Sequence, residues 1–246
     1  MDELLALWGR AEVIGPAGGG NRNTVLEIRI GRRRLAARRS RRSPASLDWE
    51  ITLLDHLAGH GLRVPVAVPA LDGRRHIDGT VVQTWLEGRL PRGRDWAAVA
   101  ATLRTLHALT ASWPQRPGFA STRELLTADR GGDVDLTQMP ADAVAACRRA
   151  WLTLADTPEA VVHGDPGPAN IRITQAGPGL LDWDEARVDH TDLDLAELPG
   201  NDLPPRRLAA ARIAATAWEA ANGWIIEPSY ARRQLALLQS GKHSFS

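Results

Sequence analysis

The sequence is poor in cysteine and in long apolar runs, and each shortage excludes a class of protein. Its single cysteine, Cys147, rules out an internal disulfide framework and favours a reducing, cytoplasmic setting. No apolar run reaches the roughly 18 residues that a membrane helix needs. The opening MDELLALW lacks the basic and apolar regions of a signal peptide. We therefore expect neither a secreted protein nor a membrane partner.

Lysine is also nearly absent, because Lys242 is the only one and arginine supplies almost all of the positive charge. The formal net charge of the 246 residues is only +1, but it is unevenly distributed. Seven arginines lie within 32–42, whereas 182–202 holds eight acids against one arginine. The basic run could be a solvated face or a nucleic-acid patch. Because no aromatic residue interleaves with its arginines, we expect no nucleic-acid partner.

The order of the predicted elements indicates an α+β fold with two lobes. Alternation and turn residues predict strands at 9–15, 24–30 and 33–39, followed by a helix over 46–61 and extended segments at 64–71 and 79–85. Within the helix over 46–61, Glu50 lies three residues after Leu47 and four before Leu54, so it shares their inward face. Further helices are predicted over 95–109, 142–155, 204–223 and 229–238. We therefore expect a β-rich N-lobe over 1–86 and a larger helical C-lobe over 87–246, with the polar turn at 87–93 between them.

The stretch VVHGDPGPANI, residues 161–171, combines a histidine, a carboxylate and an amide on a proline-stiffened loop. IRIT, QAGPG and LLDW after it predict a β-hairpin with a five-residue loop. Pairing Ile171 with Leu181 and Ile173 with Gly179 would set Asn170 opposite Asp182. With Asp165, this arrangement provides the hard oxygen ligands that Mg²⁺ prefers. Taken alone, His163 is better interpreted as a structural hydrogen bonder than as a catalyst.

Several segments, in order, resemble the aminoglycoside phosphotransferase and choline kinase family, which shares the eukaryotic protein-kinase fold. GGNRNTV (19–25) resembles its glycine-rich loop, LAARR (35–39) its third-strand cation, and VVQTWLEGRLP (81–91) the linker between its lobes. HGDPGPANI resembles the catalytic loop, LLDWDEA (180–186) the metal-binding segment and DLA (194–196) a buried acidic helix start. The resemblance extends from about residue 10 to 240. It implies a protein-kinase-like two-lobe fold.

The resemblance also implies a role for each site residue. Asp165 would orient a substrate hydroxyl and accept its proton, while Asn170 and Asp182 would hold Mg²⁺ on the phosphates of ATP or GTP. Contact with the nucleotide would come from Gly19, Gly20, Asn21, Arg38, Glu50, Gln83, Thr84 and Leu86. His163 and Asp194 would support the loop structurally.

Three alternatives stay open at this point. Arginine stands where the family more often has lysine, so Arg39 could replace Arg38 as the phosphate contact if the register slips by one. Asp184 could bind a second metal ion. The chain could also be a non-catalytic kinase-fold nucleotide-binding or regulatory protein, although Asp165, Asn170 and Asp182 are all present. We expect a small-molecule O-kinase, and the acids of 184–202 favour a cationic acceptor such as an aminoglycoside-like antibiotic or an amino sugar.

Overall fold

The structure is a computed structural model that describes residues 2–17 and 24–240. The predicted glycine-rich loop residues Gly19, Gly20 and Asn21 lie outside the described residues. The chain divides into two compact units. One comprises the described residues up to Leu90 together with 171–181, and the other comprises 91–170 and the described residues from 182 onward. The division follows residue 90, and the hairpin that we assigned to the second lobe groups with the first.

The first unit is built on a four-stranded antiparallel sheet in the order β1–β2–β3–β4. Its strands are β1 (Ala11–Pro16), β2 (Thr24–Ile30), β3 (Arg33–Arg39) and β4 (Thr80–Thr84), with a short helix α1 (Asp2–Leu5) before them and α2 (Pro44–Gly59) between β3 and β4. Prediction and structure agree on the first three strands to within two residues. Apolar residues of β2–β4 pack with Trp8 on one side of the sheet, and Val81 packs with Leu47 and Ile51 of α2.

Helix α2 begins two residues earlier than the sequence predicted. Ser43 is its N-cap, with Oγ accepting the N–H of Ser46 at 3.3 Å, and Pro44 occupies the first turn. A proline fits there because that position needs no intrahelical N–H bond. Ser46 therefore lies inside the helix, and Glu50 falls on its buried face as the spacing indicated.

The hairpin that follows the loop has a different register from the predicted one. Strands β8 (Ile171–Thr174) and β9 (Gly177–Leu180) pair Ile171 with Leu180, not Leu181, and Ile173 with Pro178, not Gly179. A two-residue turn at 175–176 replaces the five-residue loop, because Gly177 adopts a φ of +101° and a proline is tolerated in an edge strand. The predicted opposition of Asn170 and Asp182 was therefore wrong by one residue.

The second unit is mainly helical. Its elements are α3 (Trp96–Leu109), β5 (Arg130–Gly131), β6 (Val134–Asp135), α4 (Ala141–Leu152), β7 (Glu159–Val162), β10 (Arg187–His190), α5 (Asp192–Leu195), α6 (Pro205–Asn222) and α7 (Pro228–Ser240). Strand β7 comes directly before the polar loop 163–170, and β10 comes after it in the chain. The two strands pair antiparallel, and the sequence did not predict this pairing. The hydrophobic core of the second unit contains Trp151, Trp218 and the buried Cys147. Among the described residues, no helix has both the length and the apolar character needed to cross a bilayer.

Candidate active site

Arg38 and Glu50 form a buried ion pair within the first unit. Nη2 of Arg38 hydrogen-bonds Oε1 of Glu50, and the two residues are 5% and 1% exposed. Side chains alternate along β3, so Leu35 and Ala37 enter one core while Arg38 faces α2. Arg39 is exposed. The structure therefore resolves the one-residue ambiguity in favour of Arg38 as the partner of Glu50.

The predicted purine-contacting residues lie at the end of β4. Gln83 is buried, while Thr84 and Leu86 are partly exposed. The Thr84 N–H donates to the Val66 carbonyl at 2.9 Å, and Thr84 Oγ1 accepts the Val66 N–H at 2.9 Å. Because this N–H is already bonded, Thr84 could offer a base edge only its carbonyl oxygen.

Asp165 and Asn170 are brought together by the loop of the second unit. The Asn170 amide nitrogen donates to the Asp165 carboxylate at 2.8 Å and to the Asp165 carbonyl at 3.0 Å. Its own backbone N–H donates to Gly167 in the short 3₁₀ turn Pro168–Asn170. Asp165 is exposed, so its carboxylate is oriented by Asn170 and remains accessible to a substrate.

A buried carboxylate, Asp194, fixes the start of this loop. It accepts the backbone N–H groups of His163 at 2.8 Å and Gly164 at 3.0 Å, and the imidazole of His107 lies 3.0 Å away. Burial alone would raise the pKa of the Asp194 carboxyl, but the His107 hydrogen bond, the charges of both imidazoles and the Gly164 N–H hold that pKa below its ordinary value of 3.8. Asp194 thus stays ionised and can accept all three bonds.

His163 supports the loop from inside the unit. It is fully buried, its ring lies 4.7 Å from that of Trp183, and its Nδ1 accepts the Asp165 N–H at 3.3 Å. A bracing role fits these contacts, because His163 reaches Asp165 through the backbone.

The segment that carries Asp182 approaches the same loop closely. Gly164 has a φ of +88°, and a Cβ at this position would lie 2.7 Å from the Glu185 carbonyl oxygen. Only glycine fits both the conformation and the space. Asp182 is exposed and has a φ of +58°, an uncommon conformation for a non-glycine residue. Such strained residues occur often at functional sites.

The donor atoms that Asn170 and Asp182 carry are of the type that a divalent cation prefers. The Asn170 amide nitrogen donates to Asp165, so the amide oxygen of Asn170 is the atom that could coordinate a metal ion. Carboxylate and amide oxygens are the ligands that Mg²⁺ prefers. Over residues 2–17 and 24–240, no three acidic, histidine or cysteine side chains are grouped to hold a metal ion. An ion here would complete its coordination with oxygens of water and phosphate.

A cavity of about 500 Å³ opens beside Asp165 within the second unit. Its polar lining includes the acids Glu197 and Glu219, the base Arg212, and Tyr230. Burial raises the pKa of Tyr230 to about 12, and the carboxylate of Glu219 adds to the shift, so the phenol is neutral at physiological pH. The helical periodicity of α6 and α7 gave no signal for this cavity, because their packing brings the lining residues together.

Comparison with known proteins identifies the family to which this chain is similar. The sequence profile of the phosphotransferase enzyme family matches residues 13–233. Homoserine kinase of Hyphomonas neptunium is 30% identical over 213 residues, which cover 80% of this chain and 63% of the relative. The chain therefore spans a little under two thirds of the length of this curated relative.

Solved structures show the same fold at low sequence identity. Aminoglycoside phosphotransferase APH(4)-Ia matches with a TM-score of 0.71 and 14% identity, covering 100% of this chain and 98% of its own. Choline kinase LicA of Streptococcus pneumoniae matches with a TM-score of 0.69 and 15% identity, covering 98% and 96%. These matches confirm the predicted protein-kinase-like fold. The family profile, which matches residues 13–233, shows that the chain belongs to the phosphotransferase enzyme family.

Proposed function

We propose that this protein transfers the γ-phosphate of ATP or GTP to a hydroxyl of a small molecule that also carries an amine. The observation that carries this proposal is the position of Asp165 on the wall of the 500 Å³ cavity, with its carboxylate oriented by Asn170. A carboxylate held beside a cavity of ligand size is suited to accept a proton from a bound hydroxyl.

The chemistry assigned to Asp165 is limited and local. As the acceptor oxygen bonds to the γ-phosphorus, the bond from that phosphorus to the leaving nucleoside diphosphate breaks, and the hydroxyl proton passes to Asp165. The loop contributes rigidity, because Asp194, His163 and Asn170 all bond its backbone or its side chains. Rigid positioning matters because phosphoryl transfer relies on alignment and charge neutralisation.

On the nucleotide side, the proposal gives each predicted contact residue a separate role. Mg²⁺ would be held by Asn170 and Asp182, and it would supply neutralisation of the phosphate charge. Arg38, fixed by Glu50, would contact the α- and β-phosphates, and Leu86 with the Thr84 carbonyl would bond the base. Cys147, as the only cysteine, supports a reducing, cytoplasmic location for this activity.

The amine in the proposed acceptor is supported by charge and by the named relatives. Glu197 and Glu219 line the cavity, whereas Arg187 there is already bonded to Asp189. Homoserine, choline and aminoglycosides, in the names of the similar proteins, all join a hydroxyl to an amine or quaternary ammonium group. Homoserine is a second candidate within this class, because Arg212 in the cavity wall could pair with its carboxylate.

The test is a turnover screen of the purified chain with Mg-ATP or Mg-GTP, following nucleoside diphosphate release. The acceptors are homoserine, choline, an aminopropanol and an aminoglycoside, each paired with an analogue that keeps the hydroxyl but lacks the amine or quaternary ammonium group. We expect turnover with at least one amine and a higher KM for its analogue. Nucleotide binding without turnover on any acceptor would instead identify a non-catalytic kinase-fold binding protein.

A further inference from the structure

Arg116 is a buried arginine that the proposed mechanism does not use. It lies after α3 in the segment WPQRPGF (113–119), and its side chain is only 1% exposed. Nη1 donates to the carbonyl oxygens of Trp183 at 2.9 Å, Ala186 at 3.1 Å and Asp184 at 3.2 Å. The guanidinium carbon also lies 4.6 Å from the centre of the Phe119 ring.

The carbonyl groups that Arg116 binds all belong to the turn directly after Asp182. Burying a guanidinium is costly unless its N–H groups are hydrogen-bonded. The guanidinium of Arg116 meets this requirement by donating to several carbonyl groups of one short turn. The turn is also closed internally, since the Ala186 N–H donates to the Trp183 carbonyl at 3.1 Å. The cation therefore favours the conformation in which these carbonyls converge.

The residue before Arg116 holds the next part of the same segment. The Gln115 side-chain amide accepts the Val188 N–H at 2.9 Å and donates to the Val188 carbonyl at 2.9 Å. One dipeptide thus fixes the backbone of residues 183–188 at both ends. Asp182 immediately precedes this fixed stretch and keeps a left-handed φ of +58°. A strained conformation of this kind persists only where the surrounding structure enforces it.

We propose that Arg116 is a positioning residue that preorganises Asp182 for the metal ion of the Mg²⁺-nucleotide. By fixing the carbonyls of Trp183, Asp184 and Ala186, it holds the Asp182 backbone in its ligating conformation before the ion arrives. This inference rests on the proposed function, because it assumes that Asp182 ligates the ion. Residues that orient metal ligands typically change metal affinity about 10- to 100-fold when they are removed.

The first experiment measures nucleotide binding to the full chain by calorimetry, with and without MgCl₂. In Arg116→Met we expect the Mg²⁺-dependent gain in ATP affinity to fall about 10- to 100-fold. Affinity for metal-free ATP should stay within about twofold of wild type. Arg116→Lys retains a cation and should recover part of the gain.

Arg148→Met is the matched control. Arg148 also donates to loop carbonyls in the second unit, Leu125 at 3.1 Å and Ala128 at 3.0 Å, but this loop carries no proposed metal ligand. We expect its loss to leave the Mg²⁺-dependent gain unchanged. Equal losses of affinity with and without MgCl₂ in Arg116→Met, or a normal gain in that variant, would overturn the proposal.

The second experiment measures hydrogen exchange at residues 182–186 without any ligand. We expect faster exchange in Arg116→Lys than in wild type, with unchanged exchange in the core of α6. Unchanged exchange at 182–186 would overturn the proposal even if Arg116→Met failed to fold. If wild type showed no Mg²⁺-dependent gain at all, the proposed kinase function would fail, while this measurement would still decide whether Arg116 holds the turn.

Discussion

His107 Nε2 lies 3.0 Å from Oδ2 of Asp194, and the same oxygen accepts the backbone N–H of His163 at 2.8 Å. An ionised carboxylate only accepts hydrogen bonds, so Nε2 carries the proton. A side chain near the end of α3 thus supports, through one buried carboxylate, the loop that presents Asp165. No local sequence pattern singles out this histidine.

We predict that His107→Ala lowers the free energy of unfolding by about 1–3 kcal/mol, because a buried carboxylate loses a hydrogen-bond partner. The depressed pKa of Asp194 stabilises the fold above pH 3.8, and this contribution is lost as pH falls through the lower folded-state value. Without His107, burial raises that pKa, so acid-induced loss of stability should begin at higher pH. Urea unfolding measured from pH 3 to 8 tests both effects.

Asp194→Asn is the control for the pH effect. It removes the titrating carboxyl group. In this background, His107→Ala should therefore no longer shift the pH at which acid-induced loss of stability begins. A shift of the same size in both backgrounds would mean that His107 does not act through Asp194.

Asp165→Ala should abolish phosphate transfer while leaving nucleotide affinity nearly intact. Asp165 is exposed and lines the proposed acceptor cavity, so little folding stability depends on it. Asp165→Asn keeps the shape but lacks the basic carboxylate, and it should be nearly as inactive. Steady-state turnover and nucleotide titration check this, and more than about a tenth of wild-type turnover in Asp165→Ala would contradict the assigned role.

Asp182→Asn should weaken binding of the Mg²⁺-nucleotide far more than binding of the metal-free nucleotide, since one anionic ligand is lost. The alternative that Asp184 binds a second metal ion is tested with Asp184→Asn in the same assay. Asp184 is buried, in contrast to the exposed Asp182. If Asp182→Asn lost equal nucleotide affinity with and without Mg²⁺, Asp182 would not be a ligand of the metal ion.

Arg38→Ala and Glu50→Ala should each raise the nucleotide KM and lower turnover, and they should be strongly non-additive when combined. Removing one partner of a buried ion pair costs about 3–5 kcal/mol, whereas the second removal then costs much less. Arg39→Ala is the matched control, because Arg39 is adjacent and exposed. Unfolding and kinetics of all four variants test the cycle, and additive effects would show that the two residues act separately.

Local pattern was enough to predict much of the fold. The strands at 24–30 and 33–39 match the structure, because period-2 patterning and Gly31 specify a hairpin without distant contacts. Helical spacing placed Glu50 on the buried face of α2. Strand alternation allowed only one of Arg38 and Arg39 to face it, and the family resemblance selected Arg38. Short-range periodicity decides such features, and it can be read directly from the chain.

Tertiary structure decided the features that depend on contacts between distant residues. Packing chose the hairpin register that pairs Ile171 with Leu180, and it paired β7 with β10 around the loop. It also joined His107 to Asp194 and Arg116 to the turn after Asp182, across separations of 87 and about 70 residues. A buried charge must find its partner wherever the fold provides one, so no sequence spacing announces it. The sequence by itself determined which residues could carry the chemistry, and only the fold determined which residues hold them in place.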